Sequence, residues 1–249
     1  LIAQAGRTLI PINDNWKFRF SHEVHKESGQ QVSLPHTWNA MDALSGKPDY
    51  KRGIGNYSRS FRVPMAWKGR RVFIRFEGAN AVTDLFLNGK HVGEHRGGYG
   101  AFIFELTDLV TYGAENKLLV RVNNAEQLDV MPLVGDFNFY GGIYRDVALL
   151  FTDNVCISPL DYASPGIYLR QKEVNVRSAT VEDRQADVHT DIMLANRTDK
   201  TQEISVTVEA FSGEKAVTKQ QKTVKVSAHA TLQKLTIPFT ILQPHLWNG

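Results

Sequence analysis

"TDLFLNGKHVGEH", Thr83 to His95, decides how the rest of the chain is read. Asn88-Gly89 lies between two alternating runs, and this pair supplies the positive φ values that a tight type I′ turn requires. The stretch is a hairpin, so period two becomes the rule to test on either side. Upstream, "RRVFIRFEG" turns Val72, Ile74 and Phe76 inward and Phe73 and Arg75 outward, as a half-buried strand does. Downstream, "AFIFELTDL" alternates Phe102, Phe104 and Leu106, and "NKLLVRVNN" follows the same pattern. "GGIYRDVALLF" reads as a further strand, central by its continuous apolar tail. Many short strands, Gly/Asn turns and almost no helix predict an all-β jelly-roll or galactose-binding-like sandwich over residues 1–155.

Proline and glycine break the rhythm at "SPLDYASPG". Beyond it aromatics thin out, and Thr, Val, Lys and Gln take over in "ADVHTDIMLAN", "QEISVTVEAF", "KTVKVSA" and "LQKLTIPFTI". Val188, Thr190, Ile192 and Leu194 share one strand face; Val206, Val208 and Ala210 share another. Residues 156–249 therefore read as an immunoglobulin-like sandwich. About six strands are counted where this fold uses about seven, so the domain is expected to be incomplete, cut before its last strand. Asn196-Arg197-Thr198 has the form of a glycosylation sequon but is read as a turn.

A length of 249 residues is consistent with two domains, and a 42% apolar fraction is enough for a core in each. The 29 Lys and Arg are interleaved with 26 Asp and Glu, with no concentrated basic stripe, which argues against nucleic-acid binding. One cysteine, Cys156, excludes an intrachain disulfide and any multi-cysteine metal site; it is expected to be a buried, inert thiol. No apolar stretch approaches a membrane span. Ala3-Gln4-Ala5 has the small-x-small pattern read by signal peptidase, so a periplasmic or secreted location is expected; the other reading is a plain terminus.

The ordered set "SLPHTWNA", "RGIGNYSRSF", "LFLNGKHVGEHRGGYGAFIFELTDL", "RVNN" and "GGIYRDVALL" resembles the non-catalytic front end of glycoside hydrolase family 2. The likeness runs from about Trp16 to Phe151, with a weaker match through the second half. That family includes β-galactosidases, β-glucuronidases and β-mannosidases. The resemblance implies a sugar-binding jelly roll, then an immunoglobulin-like domain, then a catalytic (β/α)8 barrel that this chain does not contain. Retaining glycoside hydrolysis uses two carboxyl groups about 5–5.5 Å apart, one an acid/base and one a nucleophile. In the family both are glutamates on the barrel, so no catalytic residue and no cofactor is expected in this chain, and a cation in the full-length enzyme stays open. Glu77, Glu94 and Glu105 lie in or beside patterned strands without sign of convergence.

In members resembling β-galactosidases, a loop from the first domain reaches the barrel mouth and touches the non-reducing sugar. By its place before "GIYRDV", Asp136 in "VGDFNFYGGIYRDV" matches that loop's aspartate. A carboxylate there can accept from two sugar hydroxyls, Asn138 can both donate and accept, and Phe137, Phe139 or Tyr140 can cover the sugar's C–H face. The alternative is that Asp136 caps the turn and the aromatics plug the sandwich. Arg52, in "PDYKRGIGNYS", stands where some β-galactosidases carry a sugar-contacting asparagine; pairing with Asp49 is its other reading. The substrate-binding candidates are Asp136, Asn138, Tyr140 and Arg52. His36, Trp38 and Asn39 offer a second lining for the same rim, with a hydrogen-bonded structural role as the default for the histidine; Arg145 and Asp146 are read as separate structural contacts, and Gly97-Gly98 as a close approach of two backbones. The expected function is the front part of a retaining exo-β-glycosidase, β-galactosidase before β-glucuronidase, with a free-standing carbohydrate-binding or scaffold module as the rival. Its implied partners are a terminal β-glycoside, its own downstream barrel and, by likeness, copies of itself.

Overall fold

The computed structural model describes residues 6–22, 29–46, 50–132, 139–175 and 184–245. Asp136, Phe137, Asn138, Asp49 and Ala3-Gln4-Ala5 lie outside the described residues. The chain is nearly all β and divides into two compact units, Leu1–Asp153 and Asn154–Gly249.

Among the described residues the first unit holds ten strands: β1 (Arg7–Pro11), β2 (Trp16–Phe20), β3 (Gln30–Val32), β4 (Ile54–Arg62), β5 (Arg71–Phe76), β6 (Val82–Leu87), β7 (Lys90–Arg96), β8 (Phe102–Glu105), β9 (Glu115–Asn123) and β10 (Val147–Thr152). One sheet runs β3-β2-β4-β9-β6-β7 and the other β1-β10-β5-β8, with neighbours antiparallel. Alternation explains the core between them. Trp16, Tyr57, Ile74, Phe76, Leu85 and Val120 are fully buried and come from both sheets. Burying each such side chain contributes about 1.5–3 kcal/mol, so this cluster dominates the unit's stability.

The Thr83–His95 hairpin is present as β6 and β7. Asn88 and Gly89 hold φ values of 52° and 80°, as the turn demands. Asn88 Oδ1 also accepts from Lys117 N at 2.9 Å, which ties the turn to β9. Two expectations change. Phe73 is buried, not outward: the Arg71 guanidinium lies 4.9 Å from its ring and is held by Glu105 through Nε–Oε1 (3.0 Å) and Nη2–Oε2 (2.8 Å). The strand after the diglycine begins at Val147, although it is central, between β1 and β5.

The second unit has β11 (Val155–Ile157), β12 (Ile167–Asn175), β13 (Gln185–Asn196), β14 (Gln202–Ser212), β15 (Lys215–Val226) and β16 (Gln233–Leu242). β13 pairs with β11, β12 and β16, while β14 and β15 form a separate long hairpin. These six strands form the expected immunoglobulin-like sandwich. Its core is small, built on Ile192, Leu194, Val226, Leu235 and Ile237. Asn196 is fully buried, donating to Lys200 O and Val226 O and accepting from Thr198 N, so its amide builds the turn. Cys156 is half-buried on β11, more open than expected.

Candidate functional site: a pinned cleft at one end of the first sandwich

The antiparallel register gathers one set of loops at one end of the first sandwich. β5, β7 and β9 run toward that end, and β4, β6 and β10 run away from it, because Phe76 pairs with Val147, Ile54 with Asn123 and Val82 with Arg96. Residues just beyond those strand ends therefore meet. Arg52 precedes β4, Asn80 lies between β5 and β6, Tyr99 follows β7, and Asn124 follows β9.

The diglycine segment crosses this end as a strap rather than a strand. His36 N donates to Ile143 O (2.8 Å), Trp38 N to Gly141 O (3.1 Å) and Asn80 N to Gly142 O (3.1 Å). Asn39, almost wholly buried, donates to Phe139 O at 2.8 Å and accepts from Gly141 N at 2.9 Å. The glycines are needed because a side chain would not fit. A Cβ on Gly141 would sit 2.2 Å from Trp38 Cε2, and one on Gly142 would sit 2.5 Å from His36 O. Beneath the strap, His36 Nδ1 lies 2.8 Å from Tyr57 Oη. Burial pushes the Tyr57 hydroxyl pKa up and that of His36 down, so the contact joins a neutral phenol and a neutral imidazole. His36 thus has the structural role expected of it, and Trp38 and Asn39 hold the strap and the Lys51 carbonyl.

A second set of bonds fixes the Lys51–Gly53 backbone. Lys51 N donates to Asp42 Oδ2 (2.8 Å), while Lys51 O accepts from Trp38 Nε1 (3.1 Å) and Asn124 Nδ2 (3.2 Å). Gly53 N donates to Asn124 Oδ1 at 2.9 Å, and Gly53 O accepts from Asn124 N at 3.2 Å. Arg52 stands between these two fixed residues, its guanidinium 5.0 Å from the Phe139 ring.

Arg52, Asn80, Tyr99, Asn124, Met131 and Phe139 line a small cleft of about 20 Å³ that opens to solvent. That is room for about one water molecule, far below the roughly 300–1,000 Å³ of small-molecule sites, so these residues by themselves form the wall of a site and not a whole one. Pro132 and Phe139, which bracket residues 133–138, both stand on the lining. Tyr140 is partly exposed beside the cleft, 6.4 Å ring to ring from Tyr144, and is not part of the lining. Asn80, Tyr99 and Asn124 were not selected from the sequence. The signal that could have found them was a polar residue within four positions of the end of each strand that finishes here.

Glu77, Glu94 and Glu105 are each held by a different arginine and do not form a hydrolytic pair. Glu77 is bound by Arg75 (2.7 Å), Glu94 by Arg96 (3.3 Å) and Glu105 by Arg71 (2.8 Å). The Arg75 hydrogen bond holds the Glu77 carboxyl below its usual pKa, the wrong direction for a general acid. Arg145 lies 5.5 Å from the Tyr144 ring and Asp146 accepts from Asn13 Nδ2 at 3.1 Å, two separate structural contacts. Among the described residues no cluster of three His, Cys, Asp or Glu could hold a metal, and no helix is long and apolar enough to cross a membrane.

The family model described as "Glycosyl hydrolases family 2, sugar binding domain" matches residues 10–153, and a second, "Glycosyl hydrolases family 2", matches residues 168–249. The chain belongs to glycosyl hydrolase family 2. Within this family it is 55% identical to a β-glucuronidase of Bacteroides fragilis over 246 residues, 98% of this chain and 34% of that protein. It is 32% identical to a β-galactosidase of Thermoanaerobacterium thermosulfurigenes over 179 residues, 68% of this chain and 25% of that one. The solved structure of Bacteroides uniformis β-glucuronidase 2, covalently bound to cyclophellitol-6-carboxylate aziridine, superposes with a TM-score of 0.84 at 30% identity. That match covers 97% of this chain and 29% of the other. The chain thus spans between a quarter and about a third of the length of these family members.

Proposed function

We propose that the full-length protein is a retaining exo-acting β-glycosidase whose sugar pocket is completed by the first unit of this chain. The observation that carries the reading is the cleft: it lies within the match to the sugar binding domain, and both residues bracketing the 133–138 arm line it. The arm carries Asp136 and Asn138, proposed to bond the sugar's hydroxyls, with Tyr140 beside them. The reacting carboxyls, one acid/base and one nucleophile, come on this reading from a downstream (β/α)8 barrel, in keeping with the arginine-bound glutamates here.

The sequence expectation put β-galactoside first. The 55% identity to a β-glucuronidase, against 32% to a β-galactosidase, supports a β-glucuronide substrate instead, with β-galactoside as the second reading. The test is turnover of chromogenic β-glucuronide, β-galactoside and β-mannoside by the full-length protein. The β-glucuronide is expected to be cleaved fastest, and turnover of the β-galactoside alone would reverse the order. In the same protein Asp136→Ala is expected to cut turnover at least roughly a hundred-fold with the denaturation midpoint unchanged. Near-normal kinetics would assign Asp136 to structure.

A further inference from the structure

We infer that the outward face of β2, β4 and β9 in the first unit binds a linear acidic polysaccharide, a chain of sugars carrying carboxylate or sulfate groups. Along β4 the outward side chains Asn56, Ser58 and Ser60 are short. The register sets Lys17 of β2 beside Ser58, Lys117 of β9 beside Ser60, and Arg19 and Arg121 on either side of Asn56. β2 and β9 lie about 10 Å apart with β4 between them, so long cationic side chains wall a trough floored by small polar ones. Its two hollows measure about 380 and 250 Å³ and share Lys17 and Ser58, which makes them one trough. It runs along β4 from Asn56 toward Ser60, away from the end where the cleft opens.

The charge on this face is one-sided. Among the described residues Lys17, Arg19, Arg62, Lys117 and Arg121 point outward from the three strands, against the carboxylate of Glu115. None of the five forms an ion pair among the described residues, and no carboxylate lines either hollow. The acids on the next strands are spent: Asp84 of β6 contacts His91 at 3.1 Å, and Glu94 of β7 contacts Arg96 at 3.3 Å. Arg59, also on the lining, is committed to the fold, donating to Ile12 O and facing the charge of Asp14. A cationic surplus of this kind concentrates polyanions, and charge-assisted bonds are about twice as strong as neutral ones. No run in the sequence announces it, because Lys17 and Lys117 are far apart in the chain and only the register joins them. The floor selects the class of polyanion. The Ser58 and Ser60 hydroxyls have no side-chain partner among the described residues and can each donate and accept, as sugar hydroxyls require. Among the described residues no aromatic ring lies open on the trough for a base to stack on, since Phe18 is buried. Leu119 is half-buried, so no exposed apolar side chain stands there to enter a lipid surface.

The experiment titrates the full-length protein with dextran sulfate and with polygalacturonate, and in parallel with neutral dextran, oligothymidylate and phosphatidylglycerol vesicles. Both acidic polysaccharides are expected to bind, more weakly as salt rises, and neutral dextran is not. Lys17→Glu/Lys117→Glu is expected to weaken that binding roughly ten-fold or more with the denaturation midpoint unchanged, since two attractive contacts become repulsive. Lys17→Gln/Lys117→Gln should lose less in the same direction, and decides the matter if the reversed charges disturb the fold. Lys200→Glu/Lys215→Glu, in the second unit, makes the same change in net charge and is expected to leave binding within about two-fold. Equal loss in the Lys17/Lys117 and Lys200/Lys215 variants, or no loss in the former, overturns the inference. So does binding to neither acidic polysaccharide, or tighter binding to oligothymidylate or the vesicles than to both. None of these outcomes depends on the glycosidase reading.

Discussion

Gly141 shows how much of this fold turns on single positions. It carries the strap over Trp38, donates to Asn39 and accepts from Trp38, and leaves no room for a methyl group. Gly141→Ala is therefore expected to cost about 1–3 kcal/mol or more, because Trp38 and Asn124 must both move. Gly100 is the control: nothing lies within 4 Å of the place an added methyl would take, so Gly100→Ala should be neutral or slightly stabilising. Urea denaturation midpoints of the two variants check this, and equal midpoints would remove the strap from the account. The sequence marked the diglycine as unusual, yet its partners could not be read there. Asn39 lies 102 positions from Gly141, and only the sheet register brings them together. The same holds for Arg52, which was selected from the sequence while the Asn124 bonds that fix its neighbours were not.

At the scale of elements, period two carried most of the reading. β6 and β9 follow their alternation, since one face packs on the opposite sheet, whereas β5 is buried on both faces. β10 does not begin where its apolar pattern suggests, because the carbonyls of Gly141, Gly142 and Ile143 are taken by Trp38, Asn80 and His36 rather than by a neighbouring strand. Two histidines, one at the end of β7 and one in the loop after β3, make the first sandwich sensitive to acid. His95, at the end of β7, stacks on Phe102 of β8 at 4.0 Å; His36 faces Tyr57 of β4 at 2.8 Å. Burial lowers both pKa values below the ordinary 6.5, so the folded state disfavours the charged form. Their stability contribution is present above the unfolded pKa and is lost as pH falls from there toward the folded values. The thermal midpoint should begin to drop as pH falls below about 6.5, ahead of the carboxylates Glu77 and Asp191, whose lowered pKa values confine their loss to more acid conditions. Replacing both histidines by glutamine should flatten the profile between about pH 6.5 and 5; an unchanged slope in that double variant would refute the assignment.

Across the whole molecule, the two units invest very differently in burial. The first has a broad core fed by both sheets, with every residue of β10 buried. Among the described residues the second has one core cluster of five buried apolar side chains, and its β14–β15 hairpin is a two-stranded sheet. Along β14 the inward positions Ile204, Val206 and Val208 are only half-buried, and its other edge pairs with no strand among the described residues. An unpaired edge and a half-covered apolar face are what allow local opening at low cost, since a two-stranded ribbon alone is marginal in water. The composition shift after Gly166 signalled a change of domain, but the weakness of the second core was not legible: Thr and Val fit a well-packed strand and a half-covered one equally. Amide hydrogen exchange should separate the two cases. β5 and β10 should exchange slowest. β13, paired along its length, should be intermediate, and β14 and β15 should exchange well before β13. Val206→Thr, which keeps the shape and removes apolar contact, should speed exchange in β14 and β15 while leaving β5 and β10 unaffected. Protection of β14 equal to that of β13 would mean that its half-covered face is closed in solution.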